Sequence, residues 1–220
     1  MKNFAIAIGI LLLFEATASA LPDGFVYLEE VAPSIQTDAR YTTSNNFVGK
    51  KVDGYKVKKV VITRRAAEAL KLVQADLKKE GYGLKVFDAY RPQRAVNHFM
   101  RWVRNRSDQR TKAKYYPNIE KSTLARDGYI AGRSAHSRGS TVDLSLVKLE
   151  GGEVDMGTNF DFFGPESSHN SNAVTAAQKV NRARLKAAMA KRGFRHYDKE
   201  WWHYTLNNEP FSRGFDFEVK

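Results

Sequence analysis

The chain predicts an α+β fold, with helices packed on a mainly antiparallel sheet, and two observations carry that expectation. Helical and strand-like stretches are mixed, yet they never settle into the regular βαβ alternation of a parallel sheet. Two long helical patterns begin at Thr63 and Thr175, and short β-branched or aromatic runs lie between and after them. With 220 residues, 42% hydrophobic and 27% charged, the composition is that of an ordinary globular protein with one core.

The first twenty residues stand apart. Lys2, an apolar run from Phe4 to Phe14 and Ala18-Ser19-Ala20 form the pattern of a secretory signal peptide cleaved near Ala20. The apolar run is about half of the ~20 residues a membrane span needs. The expected organisation is therefore a signal peptide over 1–20 and one domain over 21–220, exported to the periplasm or beyond.

Leu21 to Lys59 reads as irregular chain, and Val60 to Ile62 as a brief strand. Ala66, Leu70, Val73 and Leu77 then form one apolar stripe of a helix that Gly81 and Gly83 end. Leu84 to Phe87 reads as a buried strand, and Pro92 opens a helix carrying Ala95, Phe99 and Trp102. Residues 105–135 are polar and turn-rich, a long functional loop with short helical pieces. Thr141 to Val147 is a strand, and the stretch from Asp161 to Asn172 is a loop. Thr175 and Gln178 form a capping box for a helix that runs to Arg192, where Gly193 stops it. Phe194 to His196 and Trp201 to Leu206 are the last strands.

The absence of cysteine excludes disulfides and thiolate ligands, so a metal would have to be held by His, Asp or Glu, as in catalytic sites. The net charge of +12 comes from scattered rather than massed Lys and Arg. With the export signal, that argues against a nucleic-acid partner and for a solvated basic face.

Four segments contain residues that folding alone does not demand. In Ser134-Ala135-His136-Ser137-Arg138-Gly139-Ser140-Thr141-Val142-Asp143, a carboxylate sits on a strand built for burial. That is costly unless the charge is paired or binds a metal. Gly139 allows a tight turn that brings His136 back towards Asp143, although a hydrogen-bonded His–Asp pair would use the same spacing. In Glu200-Trp201-Trp202-His203-Tyr204, residues three apart on a straight strand face opposite sides, which puts Glu200 in the entering turn, leaning over His203. That layout suits a metal-bound imidazole beside a general base; a Trp-rich core strand with an incidental His is the alternative. Arg91 leaves the end of a buried strand, where a salt bridge to Asp88 would also explain it. Asp161 lies between aromatics in a loop.

In this order and with these neighbours, the residues resemble the D-Ala-D-Ala dipeptidases of the vancomycin-resistance type. These belong to the zinc D,D-peptidase superfamily, which shares its fold with the Hedgehog signalling domain. The likeness rests on S-x-H-x2-G-x3-D and E-W-W-H-Y and spans nearly all of the chain after residue 20. It implies a Hedgehog/D,D-peptidase-like fold, one zinc per chain held by His136, Asp143 and His203, Glu200 as base and then acid, and Arg91 at the oxyanion. It further implies recognition of the substrate ammonium by Tyr41 and Asp161, and Ser134 on the carboxylate side. The reaction implied is hydrolysis of a small dipeptide in cell-wall turnover or salvage. Two alternatives are a D,D-carboxypeptidase or endopeptidase acting on peptidoglycan stem peptides, and a non-catalytic, zinc-stabilised binding module. His98, His169 and His196 match no motif and read as structural.

Overall fold

The computed structural model describes residues 21–220; the signal-peptide pattern at 1–20 lies outside the described residues. A five-stranded sheet is its frame. In chain order its strands are β2 (Gln36–Thr37), β4 (Tyr82–Asp88), β5 (Thr141–Lys148), β6 (Phe194–Tyr197) and β7 (Glu200–Leu206). They lie side by side as β2-β4-β5-β7-β6. Only β2 and β4 pair in parallel; the other neighbours are antiparallel. A two-stranded antiparallel ribbon joins β1 (Phe25–Tyr27) to β3 (Val61–Thr63).

The helices follow the expected stripes. α2 (Arg64–Lys78) buries Ala66, Leu70, Val73 and Leu77, and the Thr63 hydroxyl accepts from the Ala66 N–H to cap it. α5 (Ala176–Lys191) starts with the Thr175–Gln178 capping box. Both pack on the sheet, α2 against β4 and α5 against β5, β6 and β7. α3 (Gln93–Arg104) buries Ala95, Phe99 and Trp102, with Pro92 as its N-cap residue rather than its first helical residue. Residues 105–135 form the expected loop with short helical turns, among them α4 (Lys112–Tyr115). No helix among the described residues is long and apolar enough to cross a membrane.

The stretch expected to be irregular, 21–59, holds β1, a single turn α1 (Leu28–Val31) and β2. Each is too short for a hydrophobic period to register in sequence. β5 is buried along both faces, so its alternation separates Val142, Leu144 and Leu146 from Asp143 and Ser145 without exposing either set.

Candidate active site

One rung of the sheet sets the site. Across three strands, Asp88 on β4 stands opposite Asp143 on β5, and Asp143 opposite His203 on β7. Two bulges tune that rung. The β4–β5 register shifts between Val86 and Asp88, which re-aims Asp88. In the β6–β7 pair, His196 faces Tyr204 but Tyr197 faces Glu200, so β7 carries extra residues between those positions. Strict alternation is broken there, and Glu200 and His203 come to the same side. Glu200 is thus the first residue of the strand rather than part of the entering turn, and its Oε2 lies 3.4 Å from His203 Nδ1.

His136 arrives from the loop before β5. It sits on a 3-10 turn, Ala135–Arg138, whose start is capped by the Ser134 hydroxyl accepting from the His136 N–H at 3.3 Å. Gly139 ends the turn at φ 82°, and any Cβ there would collide with the Phe25 ring. Only glycine satisfies both demands. The Ala89 carbonyl lies 2.8 Å from His136 Nδ1, which places the proton on Nδ1 and leaves the Nε2 lone pair facing the rung.

Three atoms converge as a result. His136 Nε2 is 3.3 Å from His203 Nδ1 and 3.3 Å from Asp143 Oδ1, and His203 Nδ1 is 3.1 Å from Asp143 Oδ1. A tetrahedral ion with bonds of ~2.0–2.1 Å has ligand–ligand edges of about 3.3 Å. The three edges fit that figure. Asp143 Oδ1 is buried without a hydrogen-bond partner, so its lone pairs are free to meet a cation. Neutral imidazoles are what such a centre requires. Burial, helped by the Arg91 charge, holds the His136 imidazole below its ordinary range; at His203 burial acts the same way, but the hydrogen bond and charge of Asp143, with Glu200, outweigh it and raise the imidazole. Burial opposes the charge on Asp143, yet the two imidazoles keep its carboxyl well below the usual range.

Arg91 completes the rung. Its Nε donates to Asp88 Oδ2 at 2.8 Å and its Nη2 to Asp143 Oδ2 at 3.2 Å. The salt bridge to Asp88 foreseen as an alternative is therefore present, together with a second one. The guanidinium lies over the rings of Tyr41 and Phe99, 5.3 and 5.1 Å from their centroids. Asp88 Oδ1 accepts from the Tyr55 hydroxyl at 2.7 Å, so each carboxylate behind the arginine is itself held.

Beside the arginine, the Tyr41 hydroxyl donates to Asp161, 3.0 Å from Oδ2 and 3.2 Å from Oδ1. Burial, reinforced by the Asp143 charge, pushes the Asp161 carboxyl well above its ordinary value. Asp161 has φ 65°, a left-handed conformation that costs a non-glycine residue on the order of 1–3 kcal/mol. Burial likewise lifts Glu200 to about 7, with His203 pulling it down and Asp143 pushing it up. A carboxyl at that value suits proton transfer near neutral pH.

Tyr41, Arg91, Ser134, His136, Asp143, Asp161, Glu200 and His203 all line one cavity of about 350 Å³. Gly128, Tyr129, Ile130 and Arg133 from the long loop also line it, as does Phe163 beside Asp161. His98, His169 and His196 do not line it. The sequence does not single out Tyr55, Tyr129, Arg133 or Tyr197, and Asp88 enters it only as a salt-bridge partner. Tyr55 lies in a stretch without periodicity, and the others lie in polar loops or at a strand end, where composition carries no sign of a cavity.

Residues 22–220 match the model of the Peptidase M15 family, D-ala-D-ala dipeptidase. A D-alanyl-D-alanine dipeptidase of Enterococcus faecium is 45% identical over 199 residues, covering 90% of this chain and 98% of that protein. One from Streptomyces coelicolor is 45% identical over 197 residues, covering 89% and 98%. The Escherichia coli D-alanyl-D-alanine dipeptidase is 30% identical over 181 residues, covering 82% and 83%.

Proposed function

Because the chain belongs to the Peptidase M15 family of D-Ala-D-Ala dipeptidases, and is a metallopeptidase by that membership, we propose that it hydrolyses free D-alanyl-D-alanine with one zinc ion held by His136, Asp143 and His203. The observation that carries this reading is one cavity lined by the three-atom centre, by Glu200 and by the Tyr41–Asp161 pair.

Zinc, when bound, supplies Lewis acidity that makes water a nucleophile near neutral pH. The chain's own groups do the rest. Glu200 takes the proton of the attacking water and passes it to the departing amine, for which a carboxyl near 7 is well placed. Arg91, fixed by Asp88 and Asp143, presents its remaining N–H groups to the oxygen of the scissile carbonyl as charge builds there. Asp161, held by Tyr41, pairs with the ammonium of the dipeptide. The Ser134 hydroxyl caps the His136 turn through its oxygen and still has its own proton to offer the carboxylate end.

The buried Tyr41–Asp161 pair, a place for a free ammonium, and the 45% identity to D-alanyl-D-alanine dipeptidases favour a dipeptide over a wall stem peptide. A non-catalytic module would have no use for Glu200 and Arg91 set against the same centre. The N-terminal signal pattern supports export, and an exported enzyme suits salvage of dipeptide released from the wall. Recovery of uncleaved protein from the cytosol would reverse that assignment. The test of the activity is purified protein assayed on D-Ala-D-Ala and on a stem pentapeptide, with chelator and then with added zinc. Turnover of the dipeptide alone, lost with chelator and restored by zinc, is the expected result. Preferential cleavage of the pentapeptide would replace the dipeptidase reading by the carboxypeptidase one.

A further inference from the structure

Arg182 occupies a position that the helix pattern reserves for an apolar residue. It shares the buried stripe of α5 with Leu185 and Met189 and is 1% exposed. Among the described residues no carboxylate lies within ion-pair distance of it. A guanidinium buried without a counter-charge is a poor source of stability. Two of its donors go instead to main-chain carbonyls, Nε to Met156 at 2.7 Å and Nη1 to Ser168 at 2.7 Å, while Nη2 is buried without a partner.

Those two carbonyls bracket the loop that carries Asp161. Inside the bracket, the Ser167 hydroxyl donates to the Phe162 carbonyl at 2.6 Å and lies 3.0 Å from the Thr158 hydroxyl. Asp161, at the centre, holds a left-handed conformation that only its surroundings can maintain. Gln178 and Asn181, also on α5, grip Asp155 and so only the near end of the loop. Arg182 reaches both ends.

We propose that Arg182 is a positioning residue for recognition of the substrate amine: by clasping Met156 and Ser168 it fixes the loop so that the Asp161 carboxylate meets the Tyr41 hydroxyl at the cavity wall. This rests on the reading of Tyr41 and Asp161 as the ammonium subsite.

The test compares the unaltered protein with Arg182→Met and Arg182→Lys, measuring zinc content, kcat and KM for D-Ala-D-Ala, and the preference for it over N-acetyl-D-Ala-D-Ala. Hydrogen exchange of residues 157–167 is followed in parallel. For Arg182→Met, zinc should be retained and kcat held within ~3-fold, while KM rises ~10-fold or more and the preference for a free amine falls by a similar factor. Exchange should quicken in 157–167 and not in β5 or β7. Arg182→Lys keeps the charge in the stripe but reaches one carbonyl, so it should fall between the two and serve where the Met variant does not fold. A lower melting temperature with KM, amine preference and loop exchange all unchanged would overturn the proposal, as would unaltered KM and exchange in the Lys variant. Were the unaltered protein to cleave the acetylated dipeptide as readily as the free one, the ammonium reading would fall, and the exchange result would still decide the clasp.

Discussion

Asp143 and His203 face each other across the β5–β7 pair, with Oδ1 and Nδ1 3.1 Å apart and both strands buried around them. The sheet itself therefore fixes two of the three converging atoms, and His136 adds the third from a glycine-terminated turn. A preformed centre of this kind ties the metal to the native state, because the unfolded chain cannot present the same atoms. Chelation is expected to abolish activity and to lower the melting temperature, both restored by zinc. Asp143→Ala should lose zinc and also lose more stability than His203→Ala, since it strips Arg91 of one of its two carboxylates in the interior. Metal analysis and thermal melts of the two variants check this; equal melting temperatures would sink the claim about Arg91.

Glu200 is not one of the three converging residues, although its Oε2 lies 3.4 Å from His203 Nδ1. Glu200→Gln keeps the shape and removes the base. Its kcat should fall by ~10²–10⁴ with zinc still bound. Turnover near that of the unaltered protein, at full zinc content, would remove Glu200 from proton transfer.

Much of this arrangement is legible in the sequence because its supports are local. Gly139 marks the turn that returns His136 to the sheet, Thr175 and Gln178 mark the start of α5, and a lone carboxylate on an apolar strand marks Asp143. The rest depends on contacts distant in sequence. Asp88 joins the rung only because β4 bulges after Val86, and no residue type announces that bulge. Straight-strand alternation forbids Glu200 meeting His203 and so predicts a turn for it; the extra residues of β7 lift that restriction. Arg182 looks like any helix charge until the Asp161 loop folds over it.

His169 offers a test by pH away from the three converging residues. Burial, with the charges of His196, Lys186 and Arg182 and against that of Asp198, holds its imidazole down to about 3. Its Nε2 is buried without a partner. The ordinary value is ~6.5, so below that pH the unfolded chain takes up a proton that the native state refuses. The contribution is intact above ~6.5 and is lost progressively as the pH falls from there towards 3, at up to ~1.4 kcal/mol per unit. His169→Gln should therefore lose less stability than the unaltered protein between pH 7.5 and 5, read as urea midpoints at the two values. Parallel losses in the two proteins would show that His169 is not held neutral.

On the proposed reading, Asp161 distinguishes a dipeptidase from an enzyme indifferent to what precedes the scissile bond. Its carboxyl is buried, held by Tyr41, and pushed towards the protonated form by burial and by Asp143. An arriving ammonium supplies a counter-charge to this buried carboxyl. Truncating one partner of such a buried pair costs roughly 2–5 kcal/mol, on the order of 30-fold or more in affinity. Asp161→Asn preserves the size and most of the hydrogen bonding, so the loss should appear mainly in KM for D-Ala-D-Ala. For N-acetyl-D-Ala-D-Ala, which has no ammonium to recognise, KM should stay level or fall. The ratio of the two KM values thus shifts only if the carboxylate reads the amine. A common fall in kcat for both, with their KM ratio preserved, would place Asp161 in the support of the loop and not in recognition.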